Sequence, residues 1–140
     1  MRHVDVDAYL VAYHYNPVRR GLRRDSLPLA REKGVAMIVA GAFAGIPLGP
    51  DSDWVDSRPS RMSSEEWHRC LRLREIHQES GLSMVALCVR YLIADPDVSV
   101  VLVGAAAPAE IEESVFAAYE GPLPPDIHEA VEGIVAKDRW

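Results

Sequence analysis

VSVVLVGAAAPAEIEESV, from Val98 to Val115, joins an apolar run through a turn of small residues to a helix start. Val98 to Val103 (VSVVLV) has no polar alternation, which predicts a strand buried on both faces of a parallel sheet. Pro108 suits the first position of a helix, and the three glutamates between residues 110 and 113 favour the positive end of its dipole. Strand, short turn and helix together form a βα unit.

Two earlier segments are also rich in apolar residues. Val4 to Tyr15 and Val35 to Ala40 (VAMIVA) each predict a strand buried on both faces. Between them we expect a short helix that Asp25 or Ser26 caps, that runs to Lys33 and that the following glycine closes. The tyrosines of the first strand are interpreted as core residues: Tyr9, Tyr13 and Tyr15.

The remaining helices have clear boundaries. Ser63 and Glu66 predict a capping box, Ser83 begins a second helix that Asp95-Pro96 stops, and a last amphipathic helix follows the prolines at 122–125. Gly41 to Pro59 is a long loop, a feature that is usually functional or mobile. The order predicts one α/β domain over residues 1–140, with about three βα units, a parallel sheet and a C-terminal helix.

Composition narrows the possible partners. The 140 residues are 49% hydrophobic and 26% charged with a net charge of −6, which disfavours nucleic acid and anionic membranes. The arginines at 19, 20, 23 and 24 are interpreted as a solvated loop and helix start. No signal peptide or 18-residue apolar run is visible, so we expect a cytoplasmic protein.

The cysteines, histidines and loop aspartates do not form a recognisable catalytic or metal-binding pattern. Cys70 and Cys88 lie in helical apolar patterns and predict buried thiols in a reducing compartment. His68 and His77 are not expected to face one site, so no metal pair is predicted. The alternating aspartates of the long loop lack the pattern of a calcium site and are interpreted as solvated: Asp51, Asp53 and Asp56.

The turn after the last strand can bind an anion. The small side chains of Gly104, Ala105 and Ala106 let a phosphate approach the backbone, and the N–H groups of the first helical turn point outward. A plain βα connection packed by small residues explains the same pattern, and spacing alone leaves both interpretations open.

Longer stretches resemble the aldo/keto reductase family. Residues 73–115, LREIHQESGLSMVALCVRYLIADPDVSVVLVGAAAPAEIEESV, look like the end of that family's chain: two helices, the final strand and the turn before the next helix. PLAREKGVAMIVAGAF (28–43) is similar to its preceding helix and seventh strand, and VDAYLVAYHYNP (6–17) to its sixth strand. The closest branch is the one that oxidises sugars, such as L-galactose and L-fucose, and pyridoxal.

This resemblance implies part of a TIM (β/α)8 barrel that binds NAD or NADP at the carboxyl ends of its strands. Glu110 stands where NADP-preferring members often carry an arginine for the 2′-phosphate, so the resemblance favours NAD. Ala12 and Ala40 replace a glutamine and a tyrosine that often contact the nicotinamide, and Phe43 could supply some of the lost stacking. The implied cofactor-binding residues are Gly104, Ala105, Ala106, Ala107, Glu110, Glu113, Ser114 and Phe43. For the glutamates, complementarity to the helix dipole is an equal alternative.

The family's catalytic Asp, Tyr, Lys and His lie in the first half of its barrel, and this chain has no matching positions. No catalytic residue is therefore assigned. One hypothesis is a truncated part of an NAD(P)-dependent oxidoreductase for sugars or small carbonyl compounds, which another chain completes. The alternatives are an inactive nucleotide-binding remnant or split-barrel subunit, and a partial reading frame without a stable product.

Overall fold

A computed structural model of the chain describes residues 5–49 and 62–136. Within those ranges no helix is long and apolar enough to cross a bilayer. The elements in chain order are β1 (Ala8–Ala12), β2 (Tyr15–Asn16), β3 (Arg19–Arg20), α1 (Gly21–Lys33), β4 (Ala36–Ala40), α2 (Ser64–Ser80), α3 (Met84–Ile93), β5 (Val100–Leu102), α4 (Pro108–Tyr119) and α5 (Pro125–Ala136).

A three-stranded parallel sheet in the order β1-β4-β5 organises the fold. Ala8 pairs with Ala36 at one end of the β1–β4 ladder, and Ala40 pairs with Leu102 at the end of the β4–β5 ladder. The connection from β1 to β4 contains α1, and the connection from β4 to β5 contains α2 and α3. The predicted α/β class with parallel strands and intervening helices is therefore confirmed.

The prediction that the strands are buried on both faces is wrong for all three, because one face of the sheet is left partly open. On one face of β4, Met37 and Val39 are fully buried, but on the other face Ile38 is only half-buried. Leu10 in β1 is 52% exposed and Leu102 in β5 is 49% exposed. The register explains the exposure: Leu10 pairs with Ile38, and Ile38 pairs with Val100, so these three side chains lie on the same face of the sheet, opposite to that of Met37 and Val39. All three strands therefore contribute apolar side chains to this more exposed face.

The first strand also ends earlier than predicted, at Ala12. Tyr13 adopts the left-handed backbone region with φ of 68°, and the chain then forms a short antiparallel hairpin of β2 and β3. Tyr15 is a core residue as predicted, whereas Tyr9 and Tyr13 are exposed and that interpretation is wrong for them. Gly41 has φ of 76°, and a Cβ there would stand 2.9 Å from Cδ1 of Tyr13. A side chain at position 41 would thus be both strained and crowded.

Helix α1 begins at Gly21, so the prediction of a cap at Asp25 or Ser26 is wrong. The residue before the helix, Arg20, makes no side-chain cap, and Asp25 and Ser26 lie inside the helix. Arg20 and Arg23 instead hold this end of α1 through a distant carboxylate, that of Glu132 in α5. The predicted end is confirmed, because Gly34 closes the helix with φ of 67°.

Helix starts that depend on local hydrogen bonds are confirmed. The backbone N–H of Glu66 donates to Oγ of Ser63 at 3.1 Å, and the Ser63 N–H donates back to the Glu66 carboxylate at 3.2 Å. Ser83 caps α3 by accepting the Ala86 N–H at 3.1 Å. These bonds satisfy N–H groups that a helix cannot pair internally.

Both cysteines are buried free thiols, as predicted. Burial raises the pKa of Cys70 to about 12 and also raises that of Cys88. Neither thiol is therefore a nucleophile at neutral pH in the folded chain.

A cluster of paired charges, here called the arginine network, ties α1 to α3 and α5. Nη1 of Arg23 lies 2.7 and 2.8 Å from the two oxygens of Glu132, and Nη1 of Arg20 lies 2.7 Å from Oε2. Burial raises the pKa of the Glu132 carboxyl, but Arg20 and Arg23 outweigh it, so that pKa is lowered. The Arg20 side chain is only 9% exposed, so the interpretation of the arginine cluster as a solvated loop and helix start is wrong for Arg20. The network consists of Tyr15, Arg20, Arg23, Tyr91, Asp95 and Glu132.

Candidate functional site

A cavity of about 610 Å³ lies at the carboxyl ends of β4 and β5. Its walls come from the segment 43–49 after β4, the end of α2, the start of α3, and the turn and helix that follow β5. Parallel α/β folds bind ligands at this edge because the loops after the strands converge there.

The cavity brings together five residues that the sequence predicted as cofactor-binding. Phe43 follows β4, Gly104 follows β5, and α4 contributes Glu110, Glu113 and Ser114. The other three predicted residues, Ala105, Ala106 and Ala107, lie exposed in the turn before α4 and are not part of the cavity wall. The segment after β5 therefore contributes more through its helix than through its alanines.

A carboxylate accepts a hydrogen bond from the backbone of the turn after β5. The N–H of Ala106 donates to Oε2 of Glu110 at 2.7 Å. Because this is one of the N–H groups on which an anion would bind, Glu110 stands in the place of a ligand anion. The hydroxyl of Ser114 is buried and donates to the backbone carbonyl of Glu110 at 3.0 Å, which leaves it with little freedom to turn toward a ligand.

Gly104 borders open space. A Cβ built at this residue would meet no atom within 4 Å. The protein's own packing therefore does not require a glycine here. The gap is compatible with close approach of a ligand to the backbone.

Phe43 forms an apolar part of the wall. Its half-buried side chain packs against both hydrophobic clusters of the core. Ala12 and Ala40 end β1 and β4 at the same edge of the sheet, so short side chains stand at both strand ends. Phe43 is thus the aromatic ring on the cavity wall after β4.

Other wall residues were not anticipated from the sequence. Among them, His77 lies in the last turn of α2, and its Nδ1 is 2.6 Å from the carbonyl oxygen of Leu82. The Ser83 cap could be predicted from the sequence, but no local pattern shows that the end of α2 lines the same cavity as α4. The unanticipated residues are Pro47, Leu48, Gly49, His77, Gln78, Ser83, Met84 and Val85.

Among its described residues, the cavity wall carries two carboxylates, those of Glu110 and Glu113. The cavity volume lies within the range of small-molecule sites, and the wall combines apolar side chains with a few polar ones. Glu110 and Glu113 can accept hydrogen bonds from ribose hydroxyls or a base. No lysine or arginine side chain is among the described wall residues, so the cavity offers a phosphate no cationic side chain of that kind. Within residues 5–49 and 62–136, no three metal-ligating side chains come together either.

Comparison with known proteins gives a consistent result. The family model described as Aldo/keto reductase family matches residues 1–136. The chain is 27% identical over 116 residues to a pyridoxal 4-dehydrogenase of Microbacterium luteolum, covering 82% of this chain and 34% of that protein. It is 24% identical over 125 residues to a D-threo-aldose 1-dehydrogenase of a Pseudomonas species, covering 87% of this chain and 38% of that protein.

Among solved structures, the apo form of an aldo-keto reductase from Bacillus halodurans superposes with a TM-score of 0.67 at 19% identity. The match covers 95% of this chain and 44% of that chain. The fold is therefore that of part of a TIM barrel. The chain spans about a third of the length of the curated relatives that it matches.

Proposed function

The chain belongs to the aldo/keto reductase family, and from this premise we propose that it forms the cofactor-binding sector of an NAD-preferring oxidoreductase. The observation that carries the proposal is the cavity at the carboxyl ends of β4 and β5, where Phe43, Glu110 and Glu113 meet. The proposed substrates are sugars or small carbonyl compounds, in keeping with the names of the two relatives.

The preference for NAD rests on charge. Glu110 holds the Ala106 N–H, and Glu113 lines the same cavity. A 2′-phosphate would meet carboxylates at close range, whereas a free ribose hydroxyl could donate a hydrogen bond to one of them. Two effects therefore lower the affinity for NADP: repulsion between the carboxylates and the 2′-phosphate, and the loss of an N–H that could bind an anion.

Catalysis requires residues beyond this sector. When bound, the nicotinamide ring would supply hydride transfer, and Phe43 is the aromatic side chain available to the cofactor. The general acid and its partners would come from the other βα units of the barrel. Strands of such units would pair with the outer edges of β1 and β5. They would also cover the exposed side chains of Leu10 and Leu102. Those units would be supplied by another chain or by a longer form of this one.

The proposal is tested by calorimetric titration of the 140-residue chain with NAD and with NADP. NAD should bind more tightly, and Glu110→Arg should shift the ratio of affinities toward NADP by about tenfold or more, roughly 1.4 kcal/mol. Glu112→Arg makes the same charge change at an exposed residue outside the cavity wall and serves as the matched control. Absence of NAD binding to the wild-type chain would overturn the proposal.

A second candidate is a nucleotide-binding subunit without chemistry. Ala12 and Ala40, at the strand ends, favour it because neither can contact a nicotinamide as a glutamine or tyrosine could. Mixing the chain with the remaining βα units of a family barrel distinguishes the two. Aldehyde-dependent oxidation of NADH supports the oxidoreductase, whereas binding without turnover supports the second candidate.

We further propose the cytoplasm as the location of this protein. Cys70 and Cys88 are free, buried thiols. Proteins of reducing compartments commonly keep their cysteines in this state.

A further inference from the structure

Helix α4 turns its large apolar side chains toward solvent. It packs against α3 through small residues: Ala117 shares a buried cluster with three apolar residues of α3, and Ser114 is the other buried residue of the helix. Phe116 is 69% exposed and Tyr119 is 85% exposed, the two highest values among the large apolar side chains of the described residues. The exposed apolar surface, here called the α4 stripe, consists of Ile111, Val115, Phe116 and Tyr119.

The α4 stripe covers one side of the helix and contains a carboxylate. Ile111, Val115 and Tyr119 are spaced four residues apart, and Phe116 follows Val115, so one helical face carries all four. Glu112 precedes Val115 by three positions and Phe116 by four, which places it on the same face. Because a carboxylate loses its hydration when another surface covers it, a wholly apolar partner would leave Glu112 buried without a counter-ion.

The surroundings of the α4 stripe are acidic. Residues 98–136 contain no lysine or arginine, and α4 carries Glu110, Glu112 and Glu113. Just after the helix, Glu120 pairs with Arg90 of α3 at 2.7 Å. Two copies of α4 packed against each other would bring their glutamates together, and an anionic membrane would also repel these carboxylates. The charges therefore favour a partner that brings cations.

We propose that the α4 stripe binds an amphipathic helix of a second protein, and that this helix carries lysine or arginine beside its apolar residues. Its apolar side chains would pack on Phe116 and Tyr119, since exposed aromatic residues supply much of the binding energy of such interfaces. One of its cations would pair with Glu112. Residues of the α4 stripe are not among those that line the cavity, so this surface is separate from the proposed cofactor site.

The test is fluorescence anisotropy of the full 140-residue chain with two labelled amphipathic peptides of about 20 residues. Both peptides carry leucines at helical spacing; one has lysines beside the leucines, and the other has glutamates at the same positions. The lysine peptide should bind at least about tenfold more tightly than the glutamate peptide. Phe116→Ala and Tyr119→Ala should each weaken binding of the lysine peptide about tenfold, and Glu112→Gln about two- to fivefold.

Matched controls are available elsewhere in the chain. Tyr9 is an exposed tyrosine of β1, at the opposite edge of the sheet, and Glu129 is an exposed glutamate of α5. Tyr9→Ala and Glu129→Gln should leave the affinity for the lysine peptide unchanged. Glu112→Arg should instead improve binding of the glutamate peptide about two- to fivefold, a gain that misfolding cannot produce.

Several results would overturn the proposal. Wild-type affinity in both Phe116→Ala and Tyr119→Ala would show that the peptide binds elsewhere, and equal affinity for the two peptides would contradict the selection by charge. A wild-type chain that binds neither peptide also refutes it. Sedimentation velocity of the chain alone tests the second copy: self-association that Phe116→Ala abolishes would assign the α4 stripe to a homodimer. Titration of Phe116→Ala with NAD should match the wild type, whether or not the proposed function holds.

Discussion

The arginine network and the cavity treat glutamate in opposite ways. In the network, Glu132 receives two guanidinium groups at 2.7 Å and the hydroxyl of Tyr91 at 3.0 Å. In the cavity, Glu110 receives one backbone N–H, and no lysine or arginine lines the described wall. In this chain the arginines of the network join helices to one another. The carboxylates of Glu110 and Glu113, near the strand ends, line the cavity instead.

The largest effect should come from removing the carboxylate of the network. Glu132→Ala leaves Arg20, whose side chain is 9% exposed, and Arg23 without their main counter-ion. We expect a loss of about 2–4 kcal/mol in the free energy of unfolding, measured by urea denaturation, because an unpaired buried charge is costly.

Glu129→Ala is the control for that variant, since Glu129 is an exposed glutamate of the same helix. It should change stability by less than about 0.5 kcal/mol. Equal effects of the two variants would mean that helix propensity, and not charge pairing, dominates in α5.

Acid should weaken the network as well. The pKa of Glu132 is lowered in the folded chain, because Arg20 and Arg23 outweigh the effect of burial. A lowered folded pKa means that the stabilisation is present above the ordinary glutamate value of 4.5 and is lost as the pH falls below it. Glu132→Gln should therefore flatten the decline in melting temperature below pH 4.5.

For one group the slope removed cannot exceed about 1.4 kcal/mol per pH unit. Glu129→Gln again serves as the matched variant, and its acid limb should follow that of the wild type. If Glu132→Gln shows the same acid limb as the wild type, other carboxyls control acid unfolding.

These two regions also differ in how far the sequence predicts them. The capping box of Ser63 and Glu66 was predictable because its partners lie three residues apart. The start of α1 was not, since Arg20 and Glu132 are separated by 112 residues and no local pattern reports their contact. Burial of β1 and β5 was overestimated, because apolar strands indicate what must be covered but not which residues cover them.

The cavity also combines residues that a local sequence pattern predicts with residues that only tertiary packing brings there. Phe43, Gly104 and Glu110 could be assigned from a strand end, a turn and a helix start in a familiar order. His77 could not be assigned in this way, because it lies in the last turn of α2 and reaches the cavity wall only through tertiary packing.

Replacing a glutamate of the cavity by alanine should lower the free energy of unfolding less than the same replacement in the arginine network. Glu110→Ala removes a hydrogen bond to the exposed Ala106 N–H, so we expect a loss of about 0.5–1 kcal/mol in unfolding free energy, as for a helix cap. Denaturation of Glu110→Ala beside Glu132→Ala tests the contrast directly. Equal losses would show that the cavity carboxylate is a structural group.

The smallest effect on stability should follow from Gly104→Ala. A Cβ at Gly104 meets no atom within 4 Å, so stability should stay unchanged or rise by up to about 1 kcal/mol. If the cavity binds a nucleotide there, calorimetry should show weaker NAD binding in the same variant. A clear drop in melting temperature would instead mean that the turn needs glycine for the fold.

The contact between Arg20 and Glu132 also bears on how the chain acquires its structure during synthesis. The ribosome synthesises β1 and the start of α1 long before α5, because Glu132 lies 112 positions after Arg20 in the chain. During that interval the Arg20 and Arg23 side chains have no carboxylate from α5 to dock against. The network is consequently a late step of folding, and the nascent chain depends on local helix caps and the β1–β4 pairing until α5 emerges.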